Sequence, residues 1–279
     1  MRYLLLDSGN CRKLEQVGDI RLVRPALNAF WQPSLPASDW ENVSGIFSRD
    51  SGGGGTWEWK EKVPESWQIE WGGLQFIVKP TGFGHLGFFA EQHENWEWLR
   101  KTVSVMGAKP KTLNLFAYSG ASSLSMAQGG AEVFHLDSSK GMNDWARNNL
   151  QINSTIPDSI HWVTEDVLKY AARETRRAKK YNGIVLDPPS FGRGAQGQIW
   201  KMENDLIKLM NSCRDLIDRS SKHFILLSCH SPGFTPVILE RIIADVFEKG
   251  TFESGEMTVP EKSGRKLPAG TFARYMGKW

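Results

Sequence analysis

The chain has 279 residues, and its 34 Lys and Arg against 31 Asp and Glu leave a net charge of +3. With 40% hydrophobic and 23% charged residues it has the composition of an ordinary globule, which argues against disorder and low-complexity scaffolds. No apolar run approaches the roughly 20 residues a bilayer span needs, and Met1-Arg2-Tyr3-Leu4-Leu5-Leu6-Asp7 meets an acid too early for a signal-peptide core, so the chain reads as cytosolic.

In chain order, residues 1–85 read as short strands and turns: Tyr3-Leu4-Leu5-Leu6, the turn Asp7-Ser8-Gly9-Asn10, then Asp19-Ile20-Arg21-Leu22-Val23. Thr56-Trp57-Glu58-Trp59-Lys60 alternates, as does Trp67-Gln68-Ile69-Glu70-Trp71, which Gly72-Gly73 joins to Leu74-Gln75-Phe76-Ile77-Val78 as a hairpin. Many of the 12 Trp fall in this region, where sheet packing is the leading reading and an aromatic RNA-binding surface the other. From residue 91 helices and strands alternate. Helices are expected over 91–106, 121–128, 140–152, 167–180, 204–218 and 236–249, and strands over 112–116, 132–136, 161–163, 183–186 and 223–227. Two closing strands, 256–259 and 271–275, have no helix between them and must pair antiparallel at one edge. The pattern is α/β, a doubly wound parallel sheet, whose ligands bind beyond the carboxyl ends of the strands.

At those ends stand residues able to hold a ligand. Phe116-Ala117-Tyr118-Ser119-Gly120 is a strand-to-helix turn whose Gly lets backbone approach a ligand and whose helix start offers free N–H groups. It is not G-x-G-x-x-G. Asp137, followed by Ser138 and Ser139, can accept from both hydroxyls of a ribose, or cap the next helix. Asp166 can take the amino group of an adenine, or again cap a helix. Asp187-Pro188-Pro189-Ser190-Phe191 presents acceptors and no N–H from its prolines, a rim suited to a planar base with an amino group. Cys229, beside His230, is either a nucleophile or a half-buried free thiol. The three cysteines, Cys11, Cys213 and Cys229, form neither a disulfide framework nor a zinc spacing, and no metal site is expected.

Asn114-Leu115-Phe116-Ala117-Tyr118-Ser119-Gly120, Asp137, Asp166 and Asp187-Pro188-Pro189-Ser190-Phe191 resemble class I S-adenosylmethionine-dependent methyltransferases, in the branch related to 23S ribosomal RNA cytosine-5 methyltransferases. The resemblance runs over residues 75–279 and takes in the lead-in Thr81-Gly82-Phe83-Gly84-His85-Leu86-Gly87-Phe88-Phe89-Ala90-Glu91-Gln92. It implies a Rossmann-like methyltransferase domain over 76–279 with an antiparallel C-terminal edge strand. A small Trp-rich β domain over 1–75, a candidate RNA-binding module, precedes it. It implies S-adenosylmethionine as cofactor, held by residues 116–120, Asp137, Ser138, Asp166 and Asp187. It implies catalysis by Cys229, Asp187, Pro188 and Pro189, with Phe191 and Arg193 binding the substrate. The expected activity is methylation of ribosomal RNA at cytosine carbon 5. That carbon is a poor nucleophile until a thiolate adds to carbon 6. The alternatives are methylation of a base nitrogen, which needs positioning and no covalent step, and a binding module that signals cofactor occupancy. Candidate phosphate contacts are Arg173, Arg176, Arg177, Lys179 and Lys180 and the loop 193–201. The sequence leaves oligomeric state open and points to no membrane partner.

Overall fold

The computed structural model describes residues 1–50, 52–194 and 197–279, so Ala195 and Gln196 of the loop 193–201 lie outside the described residues. Contacts divide the chain into two units, Met1–His93 with Met257–Ala269, and Glu94–Glu256 with Gly270–Trp279.

In the first unit β1 (Tyr3–Gly9), β2 (Arg12–Val17), β3 (Ile20–Pro25), β4 (Gly45–Arg49) and β5 (Gly55–Trp59) form one sheet in chain order, with α1 (Ala37–Glu41) between β3 and β4. β1 does not turn at Asp7 as its polar residues suggest. Asp7 and Ser8 are buried within the strand, and the reversal falls on Asn10 and Cys11, at φ 49° and 58°. Asp7 is satisfied by the N–H groups of Ser34 and Leu35, the Trp40 indole and Arg265. Glu15 of β2 is fully buried between Tyr3, Lys13 and Arg24, the last a fork at 2.6 and 2.8 Å. Burial alone would raise its pKa, but Arg24 and Lys13 outweigh that and hold the carboxyl at about 2. The hairpin β6 (Trp67–Trp71) and β7 (Leu74–Val78) closes on Gly72 and Gly73, both at positive φ (59° and 77°), the turn that the twist of paired strands favours. Several tryptophans are engaged within the first unit. Trp31, Trp57, Trp67 and Trp71 each donate their indole N–H to a backbone carbonyl, and Trp57 stacks on Trp59 at 4.8 Å.

The second unit opens with α2 (His93–Ser104), which extends into it from the end of the first, and continues as β8 (Lys111–Leu115), α3 (Ala121–Gln128), β9 (Glu132–Asp137), α4 (Lys140–Ile152), β10 (Ile160–Thr164), α5 (Val167–Arg176) and β11 (Gly183–Leu186). After a small hairpin, β12 (Phe191–Arg193) and β13 (Ile199–Lys201), come α6 (Met202–Leu216), β14 (His223–Cys229), α7 (Pro236–Ala244), β15 (Thr251–Pro260) and β16 (Lys266–Gly277). The sheet order is β10-β9-β8-β11-β14-β16-β15, parallel through β14 and antiparallel from β14 to β16. This is the doubly wound sheet with an antiparallel closing edge that the sequence predicts. β11 and β14 are buried throughout, as strands covered on both faces must be. β15 and β16 each lend residues to both units.

Four helices stop short of expectation, α2 and α6 by two residues each and α5 and α7 by more. α5 ends at Arg176, and Ala178 at φ 51° breaks the turn, because the basic run 176–180 offers no apolar stripe to bury. α7 ends at Ala244, and Val246 and Phe247 bury themselves in the core instead. Strand order reverses between β8 and β11, so the crevice for a ligand lies beyond the carboxyl ends of those two strands.

Candidate active site

The turn after β8 is wound tightly. Phe116, Tyr118 and Gly120 all have positive φ, at 56°, 51° and 96°. Left-handed backbone at bulky aromatic residues is unusual and is retained where surroundings force it. Here the surroundings are β9 and α4. Ala117 N–H donates to the Leu136 carbonyl at 3.0 Å, and Tyr118 N–H to the Asp137 carboxylate at 2.9 Å. Asn149 of α4 holds the Ser119 carbonyl at 3.0 Å. A Cβ on Gly120 would come within 2.9 Å of the Ala146 methyl, so only glycine seats α3 against α4 here.

Asp137, the last residue of β9, accepts Tyr118 N–H on one oxygen and Ser139 N–H on the other, each at 2.9 Å. Burial pushes its pKa up, against those two bonds. Each oxygen keeps a second lone pair, as a diol would require. Ser138 follows, half-buried, and the Ser139 hydroxyl caps α4. Asp166 caps α5, one oxygen taking Leu168 and Lys169 N–H at 3.1 and 3.0 Å, so the capping role that its sequence allowed is the one its side chain fills. Glu165 beside it pairs with Arg173.

Beyond β11, one Asp187 oxygen accepts the Ser228 hydroxyl at 2.8 Å and lies 3.5 Å from His230 Nε2. Pro188 is buried, while Pro189, Ser190 and Phe191 are exposed, Phe191 at 49%. The Trp200 indole donates to the Pro189 carbonyl at 2.7 Å, and its ring meets Phe116 edge-on at 4.8 Å, which fastens this loop to the turn after β8. Arg193 lies 5.8 Å from the Phe191 ring.

Cys229 is the last residue of β14, and successive strand residues face opposite ways. Ser228 therefore turns to Asp187, while the Cys229 thiol turns into the core, 3.9 Å from Met202 Sδ and accepting Ser231 N–H at 3.3 Å. Burial pushes its pKa up and the Asp187 charge adds to that, against the bonds from Ser231.

A buried polar chain that the sequence did not disclose runs behind the strand ends. Asn114 donates to the Ser123 hydroxyl at 2.9 Å, and Ser123 lies 2.9 Å from His135 Nδ1. Asn143 bridges to Thr164 at 2.7 Å and to the Asp137 and Val163 carbonyls. His135 Nε2 and Asn143 Oδ1 have no hydrogen-bond partner among the described residues. Ser228, Trp200 and Asn143 each act across elements, and only Trp200 carries a signal of its own, a lone aromatic in a polar loop.

The donor set suits a nucleoside carrying a charged amino-acid tail: backbone amides and a glycine turn for the tail, an acid with spare lone pairs for the ribose. The family model of S-adenosylmethionine-dependent methyltransferases matches residues 37–240. The SAM-dependent methyltransferase of Agrobacterium tumefaciens, a crystal structure, is 36% identical, with a TM-score of 0.92 over 100% of this chain and 91% of that one. Ribosomal RNA large subunit methyltransferase I of Aeromonas salmonicida is 28% identical over 186 residues, and methyltransferase K of Neisseria meningitidis serogroup B 29% over 162. The matched parts are 66% and 58% of this chain but only 42% and 43% of those relatives, so the chain spans less than half the length of the curated relatives it matches. The family model covers well over half of the chain, and the chain belongs to the S-adenosylmethionine-dependent methyltransferase family.

Proposed function

We propose that the chain methylates a base of ribosomal RNA. The observation that carries this is the pairing of two features at one switch point. One is the turn at 116–120 with Asp137, which suits the cofactor. The other is the Asp187-Pro188-Pro189-Ser190-Phe191 loop with its exposed aromatic, which suits a flat acceptor. The names of the relatives support an RNA acceptor.

S-adenosylmethionine supplies an electrophilic methyl group. The residues 116–120 would hold its methionine part, Asp137 with Ser138 its ribose, and Asp166 would border its adenine. Asp187 and the Pro188 carbonyl would orient the acceptor through its amino hydrogens, with Phe191 stacked on the base and Arg193 on its phosphate. Positioning of this kind is sufficient when the acceptor is a nitrogen with its own lone pair. The buried, raised thiol of Cys229 favours that reading over attack at cytosine carbon 6. Methylation at carbon 5 is the second reading, supported by the place of Cys229 next to Ser228 and Asp187.

Mass mapping of ribosomal RNA from a deletion strain identifies the missing methyl group, and purified protein should restore it on RNA from that strain. Under the nitrogen reading Cys229→Ser keeps methyl transfer within a few-fold. Under the carbon 5 reading it loses orders of magnitude, and 5-fluorocytosine RNA traps an adduct on Cys229. No difference in RNA modification between the strains, with no turnover in vitro, would defeat both and favour a module that only binds the cofactor.

A further inference from the structure

The amino edge of the large sheet carries a row of bases that stops at Glu132, the start of β9, which stands beside Lys111 and lies 2.9 Å from His161. Asp137, Asp166 and Asp187 stand at the carboxyl edge. At the amino edge Lys111 starts β8, Lys222 directly precedes β14, Lys278 directly follows the antiparallel β16 and Lys180 lies three residues ahead of β11, so four neighbouring strands each bring a lysine to this edge. With strands about 4.8 Å apart this row is about 15 Å wide. Arg214, in the last turn of α6, and Arg219 flank it, and all six cations are exposed.

The backbone beneath them is one hydrogen-bonded piece. Asn182 exchanges bonds with Lys111 at 2.7 and 3.0 Å, accepts Phe224 N–H at 2.9 Å, and donates to the Ser221 hydroxyl at 2.9 Å. The side chains are placed as well. Lys180 Nζ donates to the Asp215 carbonyl at 2.6 Å, Lys222 Nζ lies 4.9 Å over the Trp279 ring, and the Arg219 guanidinium 5.4 Å over Phe247. A cleft of about 350 Å³ opens among Lys180, Arg214 and Arg219. Arg214 answers the negative end of α6. Lys111, Lys222 and Lys278 sit at strand ends, where sheets have little dipole to answer. The nearby acids offset part of this charge: Asp215 pairs with Arg214 at 3.5 Å, and Asp218, held by Ser220 and Ser221, lines the same cleft, so the excess positive charge lies on the lysines.

We propose that this amino-edge face is a second RNA-binding surface, which grips the phosphodiester backbone of a segment other than the one carrying the acceptor base. The inference rests on the RNA reading above. Strands of about five residues put roughly 17 Å between the two edges, so a folded RNA can engage both while a short single strand at the acceptor loop reaches only one. Cations held in place lose little further freedom on binding phosphate, and each phosphate contact steepens the fall of affinity with salt.

The test compares the wild-type protein with the triple variant Lys180→Gln, Lys222→Gln, Lys278→Gln. Anisotropy follows a fluorescein-labelled, folded transcript of a large-subunit ribosomal RNA domain and a short single-stranded oligonucleotide, between about 50 and 200 mM salt. The variant should bind the folded transcript about tenfold or more weakly, with the slope of log affinity against log salt reduced by about two to three. Its affinity for the oligonucleotide and for S-adenosylmethionine should stay unchanged. The charge-keeping triple Lys→Arg variant should bind as wild type does, which separates lost charge from lost fold. Unchanged affinity and slope in the Gln variant overturn the proposal, as does equal loss on the oligonucleotide. If the wild-type protein binds neither RNA, the RNA reading falls and this inference with it.

Discussion

Asp137 shows how one side chain can serve fold and ligand together, because the same carboxylate that ties down Tyr118 and Ser139 keeps lone pairs to spare. Asp137→Ala should weaken S-adenosylmethionine binding by about 1–3 kcal/mol, the range for lost charge-assisted bonds. Calorimetry that finds equal affinity removes Asp137 from the site. His135 makes a prediction of a different kind. Burial, with the Arg147 charge behind it, lowers its pKa from the ordinary 6.5 to about 3. The unfolded chain therefore takes up the proton first. The contribution of His135 to stability is complete above pH 6.5 and drains away as pH falls towards 3. His135→Gln cannot titrate, so its unfolding midpoint should be lower at neutral pH yet change less between pH 6.5 and 4 than that of the wild-type protein. Asp137 and Asp187 were legible in the sequence because a strand end can be found from the strand alone. Ser228, Asn143 and Trp200 were not, because each acquires its partner only when β14, α4 and β13 are laid against other elements.

Among the elements, the turn at 116–120 concentrates the strain. Gly120→Ala places a side chain at φ 96° and 2.9 Å from Ala146. A loss of about 1–3 kcal/mol is expected, read by denaturant titration, with weaker cofactor binding beside it. The single glycine was visible in the sequence; the positive φ at Phe116 and Tyr118 was not, since nothing local asks aromatic residues to adopt it. The strands and helices of the second unit were legible because their apolar periods are long and clean. The hairpin β12–β13 escaped notice, as its three-residue strands carry no period. β4 escaped for a related reason: Gly45-Ile46-Phe47-Ser48-Arg49 has one buried face supplied by a parallel neighbour from distant sequence.

At the scale of the whole molecule, a net charge of +3 conceals a sheet whose amino edge gathers lysines along β8, β11, β14 and β16 while aspartates follow strands at the other. Composition averages over space, so this polarity needed the strand order before it could be seen. The first unit depends on charge in its own interior. Arg24→Ala leaves Glu15 buried with much of its compensation gone, at a cost of about 3–5 kcal/mol. Hydrogen exchange should then accelerate in β1–β3 while β11 and β14 stay protected, and uniform acceleration in both units would refute that independence. Acid should act on the same place: the folded pKa of Glu15, about 2, lies below the ordinary 4.5, so its stabilisation is whole above pH 4.5 and lost as pH falls through 2.

Asp7 and Leu5 of β1 are met by Arg265 and Lys262, at 2.7 and 2.8 Å, and Ser8 by Glu261, partners that lie some 250 positions later in the chain. During translation those partners emerge long after β1. β1 must wait for that later stretch to be synthesised before its buried polar groups are matched, whereas β8 to β11 find their neighbours within a much shorter stretch of chain. A nascent chain stalled before residue 257 should therefore carry a β1 region that proteases and chaperones still recognise.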